Sequence, residues 1–434
     1  MTIRKKHEYI LFIERNYEMK NKIFRLSIAL MLVISLTLSL SSCAFDFNIT
    51  FGEGGFEWNE DGYDSYLPDD GNQNVEGGSD TTIESDNFGE FYPGIGQGEV
   101  DKVDPLTKTL LSTVDIIAGT GLTAGAGSGV IYKIDKEKGD AYIITNMHVV
   151  YLNGGAAKTI SVYLYGMENS AYAIPATFVG GSVTYDIAVL KISGSEVLKN
   201  SYATAITVTS SDNVRVFDRV FAVGNAEGAG LSATEGIISV ENENIDITAA
   251  DNALTSLRVM RVDAPVNHGN SGGGLYDEVG RFIGIVSAKE VSEDVDNMGY
   301  AIPSDLVIKL ADNILRNCNG TTSTQVVKPL MGITITAVVT GVEIDEGGTL
   351  CKVQMVEVTE VSAGSLATGK VLTGDIINSI TVDGATTKVY KVYHVTDAML
   401  DANEGSTVSL NITRGEETVN VTFTIAKSNL TLVK

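Results

Sequence analysis

The residues from Asn267 to Gly274 hold the densest group of atoms in the chain that could do chemistry. They read Asn-His-Gly-Asn-Ser-Gly-Gly-Gly, and the glycines leave the backbone free to adopt turns that a Cβ forbids. Ser271 supplies a hydroxyl that could attack a carbonyl carbon. The amides of Gly269, Asn270 and Ser271 could converge on the oxygen that becomes negative, and each such donor contributes about 3 to 4 kcal/mol. Taken alone, the stretch favours a simpler interpretation, a glycine-rich turn between two strands.

Two further side chains could activate that hydroxyl. His148 follows a predicted strand, in Thr-Asn-Met-His-Val-Val, and Asp186 opens another, in Asp-Ile-Ala-Val-Leu-Lys. The imidazole would accept the hydroxyl proton and return it to the leaving group, while the carboxylate would hold the required tautomer. Singly, a structural histidine and a strand-capping aspartate are the simpler interpretations. Together, in the order His, Asp, Ser, the three residues favour acyl transfer with His148, Asp186 and Ser271 as the catalytic group.

Short apolar strands separated by Gly, Asn and Asp turns must hold these side chains in place. This sequence pattern begins near Leu106 and is typical of an all-β sandwich or barrel. Residues 128–134 and 141–146 are predicted to pair as a hairpin. A helix is predicted at 303–316, where leucine and isoleucine residues share one face. Further strands are predicted at 186–192, 219–224, 257–262 and 281–286.

A second folded unit is predicted at 329–434, after a short polar linker at 319–328. A glycine-containing turn at Met331, Gly332 and Ile333 leads into its first strand. Other elements of this unit are predicted as strands that begin at 374, 407 and 418 and a helix near 395–400.

Residues 1–43 have the features of an export signal. Charged residues after Met19, which is the expected true start, precede an apolar run at 26–40. The run ends in Leu-Ser-Ser-Cys, which resembles the lipobox of bacterial lipoproteins, with Cys43 as the lipid attachment. An uncleaved membrane anchor is the alternative, since the run is nearly long enough to span a bilayer. Either way the rest lies outside the cytoplasm, beginning with a disordered acidic tether predicted at 44–104.

Composition argues against several classes of function. A chain of 434 residues exceeds what one core usually holds, so more than one domain is expected. The formal net charge of −24 argues against nucleic acid as a partner. Three cysteines are too few for a disulfide framework, and Cys318 and Cys351, which could pair, are expected to remain thiols. Without a Cys/His cluster at ligand spacing, no metal and no cofactor are expected.

Several short motifs follow one another along the chain. They are Gly-Ser-Gly-Val-Ile at 127–131, Thr-Asn-x-His-Val-Val at 145–150, Asp-Ile-Ala-Val-Leu-Lys at 186–191, Val-Gly-Asn at 223–225, Gly-Asn-Ser-Gly-Gly at 269–273 and Gly-Tyr-Ala-Ile-Pro at 299–303. In this order they resemble the trypsin-like serine peptidases of the HtrA (DegP/DegS) family. The resemblance implies a mostly β fold, with two perpendicular six-stranded barrels at 105–318 and one PDZ-like α+β domain at 329–434.

The resemblance also implies a function and partners. It implies an extracytoplasmic serine endopeptidase that acts on unfolded or misfolded proteins, a role in protein quality control, and a homotrimer. The PDZ-like turn at Met331, Gly332 and Ile333 would present amides to the carboxylate of a C-terminal peptide, which would pair with the adjacent strand. His394 lies near the helix of that domain. A ligand contact is one interpretation, and a solvated helix-end histidine is the simpler one.

Three positions depart from the family pattern or bear on specificity. His268 and Ala226 stand where the family usually has proline, so His268 is expected to face the surface or the substrate, and the loop at 225–232 is harder to place. Pro265, six residues before Ser271, occupies the position where preference for a basic residue would need an aspartate. By resemblance, the residue before the cleaved bond would be small and aliphatic.

Two other functions were weighed. Gly-Asn-Ser-Gly-Gly also fits the nucleophile elbow of an α/β-hydrolase, but that elbow needs a following helix and a later histidine in the same domain. A hairpin is predicted after Ser271 instead, so this interpretation is set aside. The non-enzymatic alternative is a surface-tethered, chaperone-like protein that binds peptides and keeps a dormant peptidase site.

Overall fold

The computed structural model describes residues 100–121, 123–168, 170–287, 298–318, 324–344, 348 and 350–433. The export signal at 1–43, the lipid attachment at Cys43 and nearly all of the tether at 44–104 lie outside the described residues, so they stay predictions. Within the described ranges, no helix combines the length and the apolar character needed to cross a bilayer.

A seven-stranded antiparallel sheet encloses the first core of the chain. Val114, Ile116 and Ala118 alternate along its first strand and point into this core, where they are fully buried. The strand order is β7-β6-β1-β2-β3-β9-β8. In chain order the elements are α1 (Lys108–Ser112), β1 (Thr113–Gly119), β2 (Ala124–Asp135), β3 (Asp140–Thr145), α2 (Met147–Val150), the small hairpin β4 (Tyr151–Leu152) and β5 (Gly155–Ala156), β6 (Thr159–Leu164), β7 (Ile174–Pro175), β8 (Thr177–Ser182), β9 (Ile187–Ile192) and α3 (Glu196–Lys199).

A closed six-stranded barrel follows, and it carries the Ser271 loop. Its strands close in the order β10-β11-β12-β15-β14-β13. The helix after the barrel buries Leu306, Leu310 and Ile314 against it and against the first sheet. The elements are β10 (Arg219–Gly224), β11 (Ser232–Thr248), β12 (Leu254–Val262), β13 (Gly274–Asp277), β14 (Phe282–Ser287), β15 (Gly299–Pro303) and α4 (Ser304–Asn317).

The mostly β fold with two packed β units, expected from the sequence, is confirmed. The strand predicted at 219–224 coincides with β10, and the helix predicted at 303–316 is α4 shifted by one residue. The first unit differs in detail, because the two-residue β7 pairs with β6 and brings the sheet to seven strands. Its hydrogen-bonded ladder ends at β8, which lies close to β6 without pairing in register.

The C-terminal unit is a second antiparallel sheet with one helix packed on it. Its order is β17-β18-β19-β21-β22, with β20 beside β19, so β17 lies at an edge. The elements are β16 (Val326–Pro329), β17 (Ile333–Ile344), β18 (Leu350–Val361), β19 (Ile376–Val382), β20 (Ala385–Lys388), α5 (Val392–Ala398), β21 (Thr407–Arg414), β22 (Glu417–Thr424) and β23 (Leu430–Val433).

Two expectations for this region need correction. The C-terminal end of the linker predicted at 319–328 is part of a strand, because β16 begins at Val326. The two strands predicted to finish the unit are followed by a third, β23, which pairs with β16 in the register Val326 to Val433. Thr324, just before β16, also bonds to β8: its N–H donates to Val179 and its carbonyl accepts from Gly181. The C-terminal unit is thus joined to the first sheet by backbone hydrogen bonds.

Charged side chains of α5 hold the C-terminal unit against the barrel. Arg258 on β12 forms a salt bridge with Asp397, and its guanidinium carbon lies 4.0 Å from the centre of the Tyr393 ring. Tyr393 donates its hydroxyl to Asp212 at 2.9 Å. Burial opposes ionisation of Asp212, but its contacts with His394 and Tyr393 outweigh burial and lower the pKa of Asp212 to about 2. This part of the contact surface is therefore ionic, while Leu400 and Val326 add buried apolar contacts to it.

His394 belongs to this contact, so the expected solvated histidine is wrong. Its side chain is buried, Tyr390 donates a backbone N–H to its Nδ1 at 3.1 Å, and its Nε2 lies 3.0 Å from Asp212 Oδ2. The reason lies in tertiary packing, since α5 turns this face toward the barrel.

A polar seam joins the first sheet to the barrel. We define the seam by Ser112, Thr113, Asp115, Ser128, Asn225 and Tyr276. Tyr276 is fully buried, with its hydroxyl 3.0 Å from Thr113 Oγ1 and 3.3 Å from Ser112 Oγ. Burial raises the pKa of Tyr276 to about 12, so the hydroxyl stays protonated at neutral pH.

Replacing Tyr276 by phenylalanine should weaken this joint. Tyr276→Phe removes the hydroxyl that bridges β1 and the barrel, and we expect the free energy of unfolding to fall by about 1 to 2 kcal/mol. Denaturant unfolding measures the loss. Tyr300→Phe is the matched control, because Tyr300 is also buried and, among the described residues, the one hydrogen-bond contact of its hydroxyl is to Met298 Sδ at 4.0 Å. Equal losses in both variants would contradict the bridging role.

Candidate active site

The structure brings His148 and Asp186 into direct contact. Asp186 is completely buried, and its Oδ2 and Oδ1 lie 2.8 Å and 3.0 Å from His148 Nδ1. The backbone N–H of His148 also donates to Asp186 Oδ1 at 3.1 Å. An ionised carboxylate only accepts hydrogen bonds, so Nδ1 carries the ring proton in this arrangement. Nε2 is then the nitrogen that can accept a proton from a substrate or a neighbouring hydroxyl.

The corner between β3 and α2 fixes the backbone of Asp186. Its carbonyl accepts the Met147 N–H at 3.1 Å and the Asn146 Nδ2 at 3.0 Å. Asp186 has a φ of 52°, a left-handed conformation that aspartate tolerates better than most residues. The local sequence therefore anchors the carboxylate from the same segment that carries the histidine.

The loop with Ser271 docks on β2 beside that segment. Ser128 of β2 donates its backbone N–H to the Ser271 carbonyl at 2.8 Å. A Cβ added at Gly127 would lie 2.7 Å from Val149 and 3.0 Å from the Ser271 carbonyl oxygen. Because Gly127 has no Cβ, Val149, which follows His148, and the Ser271 carbonyl can both approach β2 at this point. The loop and α2 share one corner of the structure.

The amides before Ser271 are oriented by the loop between β10 and β11. Glu227 donates its N–H to the His268 carbonyl at 2.7 Å. Because C=O and N–H point in opposite directions across a trans peptide, the Gly269 N–H points away from Glu227. The Asn270 N–H instead donates to the Asn267 carbonyl at 3.1 Å inside the turn. Of the three predicted oxyanion amides, those of Gly269 and Ser271 therefore stay candidates, and that of Asn270 is held within the turn.

Comparison with known proteins agrees with this geometry. Residues 127–285 match the family of trypsin-like peptidase domains. The serine protease Do-like HtrB of Bacillus subtilis is 36% identical over 267 residues, which cover 58% of this chain and 55% of that protein. The serine protease Do-like HtrA of Lactococcus lactis subsp. cremoris is 34% identical over 214 residues, which cover 48% and 47%. Residues 127–285 are therefore similar to trypsin-like peptidase domains, and the chain is similar to serine proteases of the HtrA type.

A solved structure extends the likeness beyond the peptidase domain. The HtrA-type protease AlgW, as a serine-to-alanine variant with a tripeptide, aligns with a TM-score of 0.50 and 26% identity. The alignment covers 76% of this chain and 97% of that chain. This chain nevertheless spans about half the length of the curated relatives it matches.

The loop that the sequence left hard to place is a short 3₁₀ turn at Ala226–Gly228. Glu227 has a φ of 54°, outside the usual range for its residue type. Asn225 holds the ends of the loop together, because its Oδ1 accepts the Gly230 N–H at 2.7 Å. His268 is exposed, in agreement with the expected surface or substrate-facing position. The loop contacts the turn that carries Ser271 through backbone atoms, so a proline at 226 is not needed for this contact.

Ser128 is a site residue that sequence reasoning did not single out. Its hydroxyl donates to the Gly269 carbonyl at 2.7 Å and accepts the Asn225 N–H at 2.8 Å. Its carbonyl accepts the Thr145 hydroxyl at 2.6 Å, just ahead of the histidine segment. The available signal was the motif Gly-Ser-Gly, in which glycines on both sides let β2 approach its neighbours.

Two valines, one of them next to Pro265 in the chain, pack against Gly299. A Cβ added at Gly299 would lie 2.8 Å from Val266 and 2.9 Å from Val262. The Pro265 carbonyl accepts the Thr234 hydroxyl at 2.8 Å. None of these groups offers a carboxylate for a lysine or arginine side chain. Over the residues that the structure describes, no group of three or more His, Cys, Asp or Glu side chains could hold a metal.

The turn predicted to bind C-terminal peptides has its carbonyls tied inward. The Met331 carbonyl accepts the Ala367 N–H at 3.0 Å, and the Gly332 carbonyl accepts the Ser362 N–H at 2.9 Å. The next amides in the chain, those of Gly332 and Ile333, therefore point away from that segment. Gly332 has a φ of 76°, and a Cβ there would lie 2.2 Å from the Ser365 Cβ. The turn thus has two adjacent donors at the start of the edge strand β17.

Gly272 offers a test of how tightly the nucleophile turn is packed. Its φ is 86°, and a Cβ there would lie 2.1 Å from the Ser128 carbonyl oxygen and 2.3 Å from Thr145 Oγ1. We expect Gly272→Ala to lower the free energy of unfolding by about 3 kcal/mol or more, from strain and overpacking together. Gly154→Ala is the control, because Gly154 has a φ of 81° and an open Cβ direction. Its expected loss is about 1 to 2 kcal/mol. Indistinguishable denaturant midpoints would contradict the close packing.

Proposed function

We propose that the chain is a serine endopeptidase that cleaves proteins through an acyl-enzyme. The observation that carries the proposal is the buried Asp186 carboxylate hydrogen-bonded to His148 at 2.8 Å, with the Ser271 loop docked in the same corner. The family match and the names of the relatives support the same class, that of hydrolases with a serine nucleophile. His148, Asp186 and Ser271 would be the catalytic residues.

Each group has one task in the proposed reaction. Ser271 Oγ attacks the carbonyl carbon of the peptide bond, and His148 Nε2 accepts the hydroxyl proton. The N–H groups of Gly269 and Ser271 stabilise the negative oxygen. When the C–N bond breaks, the proton moves from His148 to the leaving amine and the acyl group stays on Ser271. Water then attacks this ester with His148 as base, which releases the new carboxyl group and restores the serine.

Unfolded or misfolded proteins are the proposed substrates, as part of protein quality control. Two valines pack against Gly299, and residue 265 is a proline, which has no carboxylate. Both features support cleavage after small aliphatic residues. The PDZ-like unit would bind C-terminal peptides, and this binding would regulate the peptidase site. The homotrimer expected from the resemblance belongs to the same proposal.

Substitution of the three catalytic residues tests the peptidase proposal. Ser271→Ala and His148→Ala should abolish casein cleavage, and His148→Ala should also abolish labelling of Ser271 by a fluorophosphonate probe. Asp186→Asn should lower kcat by about 10⁴ because the imidazole loses its required tautomer.

His268→Ala is the matched control for the histidine, because that side chain is exposed. Labelling of Ser271 should persist in this variant. Cleavage that persists in Ser271→Ala would refute the proposal. If the wild type neither cleaves casein nor is labelled, even with activating peptides, the result would favour the peptide-binding, chaperone-like alternative.

The PDZ-like turn predicts selective binding of free carboxylates. A fluorescent peptide with a free C-terminus should bind at least about tenfold more tightly than its amidated form, because two backbone donors would meet a charged acceptor. Fluorescence anisotropy with the two peptides measures the ratio. Equal affinities would remove the carboxylate site while leaving the peptidase proposal intact.

The proposed location is the outer face of a bacterial cell membrane. It rests on the export signal and on the lipobox-like Leu-Ser-Ser-Cys, with a lipid on Cys43 and the acidic tether at 44–104 as the spacer.

A further inference from the structure

A buried carboxylate lies beneath the nucleophile turn and has no part in the reaction proposed above. Asp115 on β1 is 7% exposed and pairs in register with Ser128 on β2 and Tyr163 on β6. Its strand neighbours Val114 and Ile116 point into the first core, so Asp115 points to the opposite face, into the seam. An isolated buried carboxylate is costly, and one of its oxygens, Oδ1, has no hydrogen-bond partner among the described residues.

The side chain of Asn225 and the backbone of Ile116 lie beside the carboxylate. Asn225 uses its Oδ1 to accept the Gly230 N–H at 2.7 Å. The amide group therefore turns its NH₂ donor toward Asp115. Asp115 thus offers this NH₂ group a charged acceptor in the same amide orientation that the Gly230 bond requires.

Hydrogen bonds continue from Asn225 to the nucleophile turn. The Asn225 N–H donates to Ser128 Oγ at 2.8 Å, so the single hydroxyl proton of Ser128 is directed to the Gly269 carbonyl, 2.7 Å away. The same loop orients the preceding peptide, because Glu227 donates to the His268 carbonyl at 2.7 Å. Both peptides that flank Gly269 are therefore held by groups that depend on Asn225.

We propose that Asp115 is a positioning residue of the peptidase site, which acts through Asn225 and Ser128 on the Gly269 peptides that shape the oxyanion pocket. The proposal rests on the proposed serine peptidase function and adds a residue that the catalytic motifs do not contain. Asp115 touches neither substrate nor the reacting atoms. It holds the turn in the geometry that the transition state needs.

The charge of Asp115 is the property that can be titrated. Burial raises the pKa of this carboxyl and the nearby Glu168 charge raises it further, while hydrogen bonds from Asn225 and the Ile116 backbone act in the opposite direction. Tyr163 is the titratable residue across on β6, and the facing groups of β2 and of the loop after β10, Ser128 and Asn225, do not titrate. Protonation removes the charged acceptor for Asn225 as pH falls through this raised pKa. The site should then lose activity as Asp115 takes up a proton.

Asp115→Asn tests the role without changing the size of the side chain. The test is the rate of fluorophosphonate labelling of the full chain from about pH 4, near the ordinary pKa of an aspartate carboxyl, to about pH 8. We expect labelling about tenfold slower on the alkaline plateau, because a charge-assisted hydrogen bond becomes a neutral one. The ionisation of Asp115 should disappear from the acid limb. On a cleavable peptide, kcat should fall while KM stays unchanged.

Two further variants separate positioning from general stability. Glu168→Gln leaves Asp115 in place and removes a surface charge, so the acid limb should shift to lower pH with an unchanged plateau. Asp375→Asn removes another buried carboxylate, which pairs with Arg414 in the C-terminal unit at 2.8 Å. It should lower the melting temperature without changing the labelling profile.

The outcomes are distinct. A wild type that labels, with Asp115→Asn equal to it in rate and pH profile, overturns this proposal alone. If Asp115→Asn does not fold, Glu168→Gln decides, and an unshifted acid limb overturns the proposal. A wild type that does not label at all overturns the peptidase function and this proposal with it.

Discussion

The hydrogen bonds of Ser128 across the seam are the interaction on which the candidate site depends. The histidine and aspartate belong to the first sheet, whereas the serine belongs to the barrel, so neither unit holds the site alone. Ser128 bonds to the Ser271 carbonyl through its N–H and to the Gly269 carbonyl through its hydroxyl. Its own carbonyl accepts Thr145, near the histidine. One residue therefore joins three segments whose order along the chain says nothing about their distance in space.

Much of the fold and of the site was predictable because local patterns carried it. Strand β10 and helix α4 follow from apolar periodicity, and the three catalytic candidates follow from short motifs in a fixed order. The structure places two of those candidates in direct contact. What sequence reasoning missed is set by tertiary contacts. The alternation of apolar and polar residues along β1 shows which face of the sheet Asp115 occupies. It does not show that packing against the barrel buries that face. His394 was expected in solvent because the sequence does not reveal that α5 packs on the barrel.

Strands in segments of mixed composition were also missed by sequence reasoning. Strand β11 covers Ser232–Thr248 and contains register shifts between Ile238 and Glu243. Its polar residues hide a continuous strand, because bulges change which face each residue occupies. The last strand, β23, has no strong period at all. It exists because β16 offers it a partner.

The pairing of β16 with β23 has a mechanical consequence. The first and last strands of the C-terminal unit lie side by side, and Thr324 fastens the approach to β16 onto β8 by two backbone bonds. A force that pulls on this unit would act on two paired strands rather than on a single flexible linker. A displacement of the unit would therefore act directly on β8, the strand that leads into the segment with Asp186.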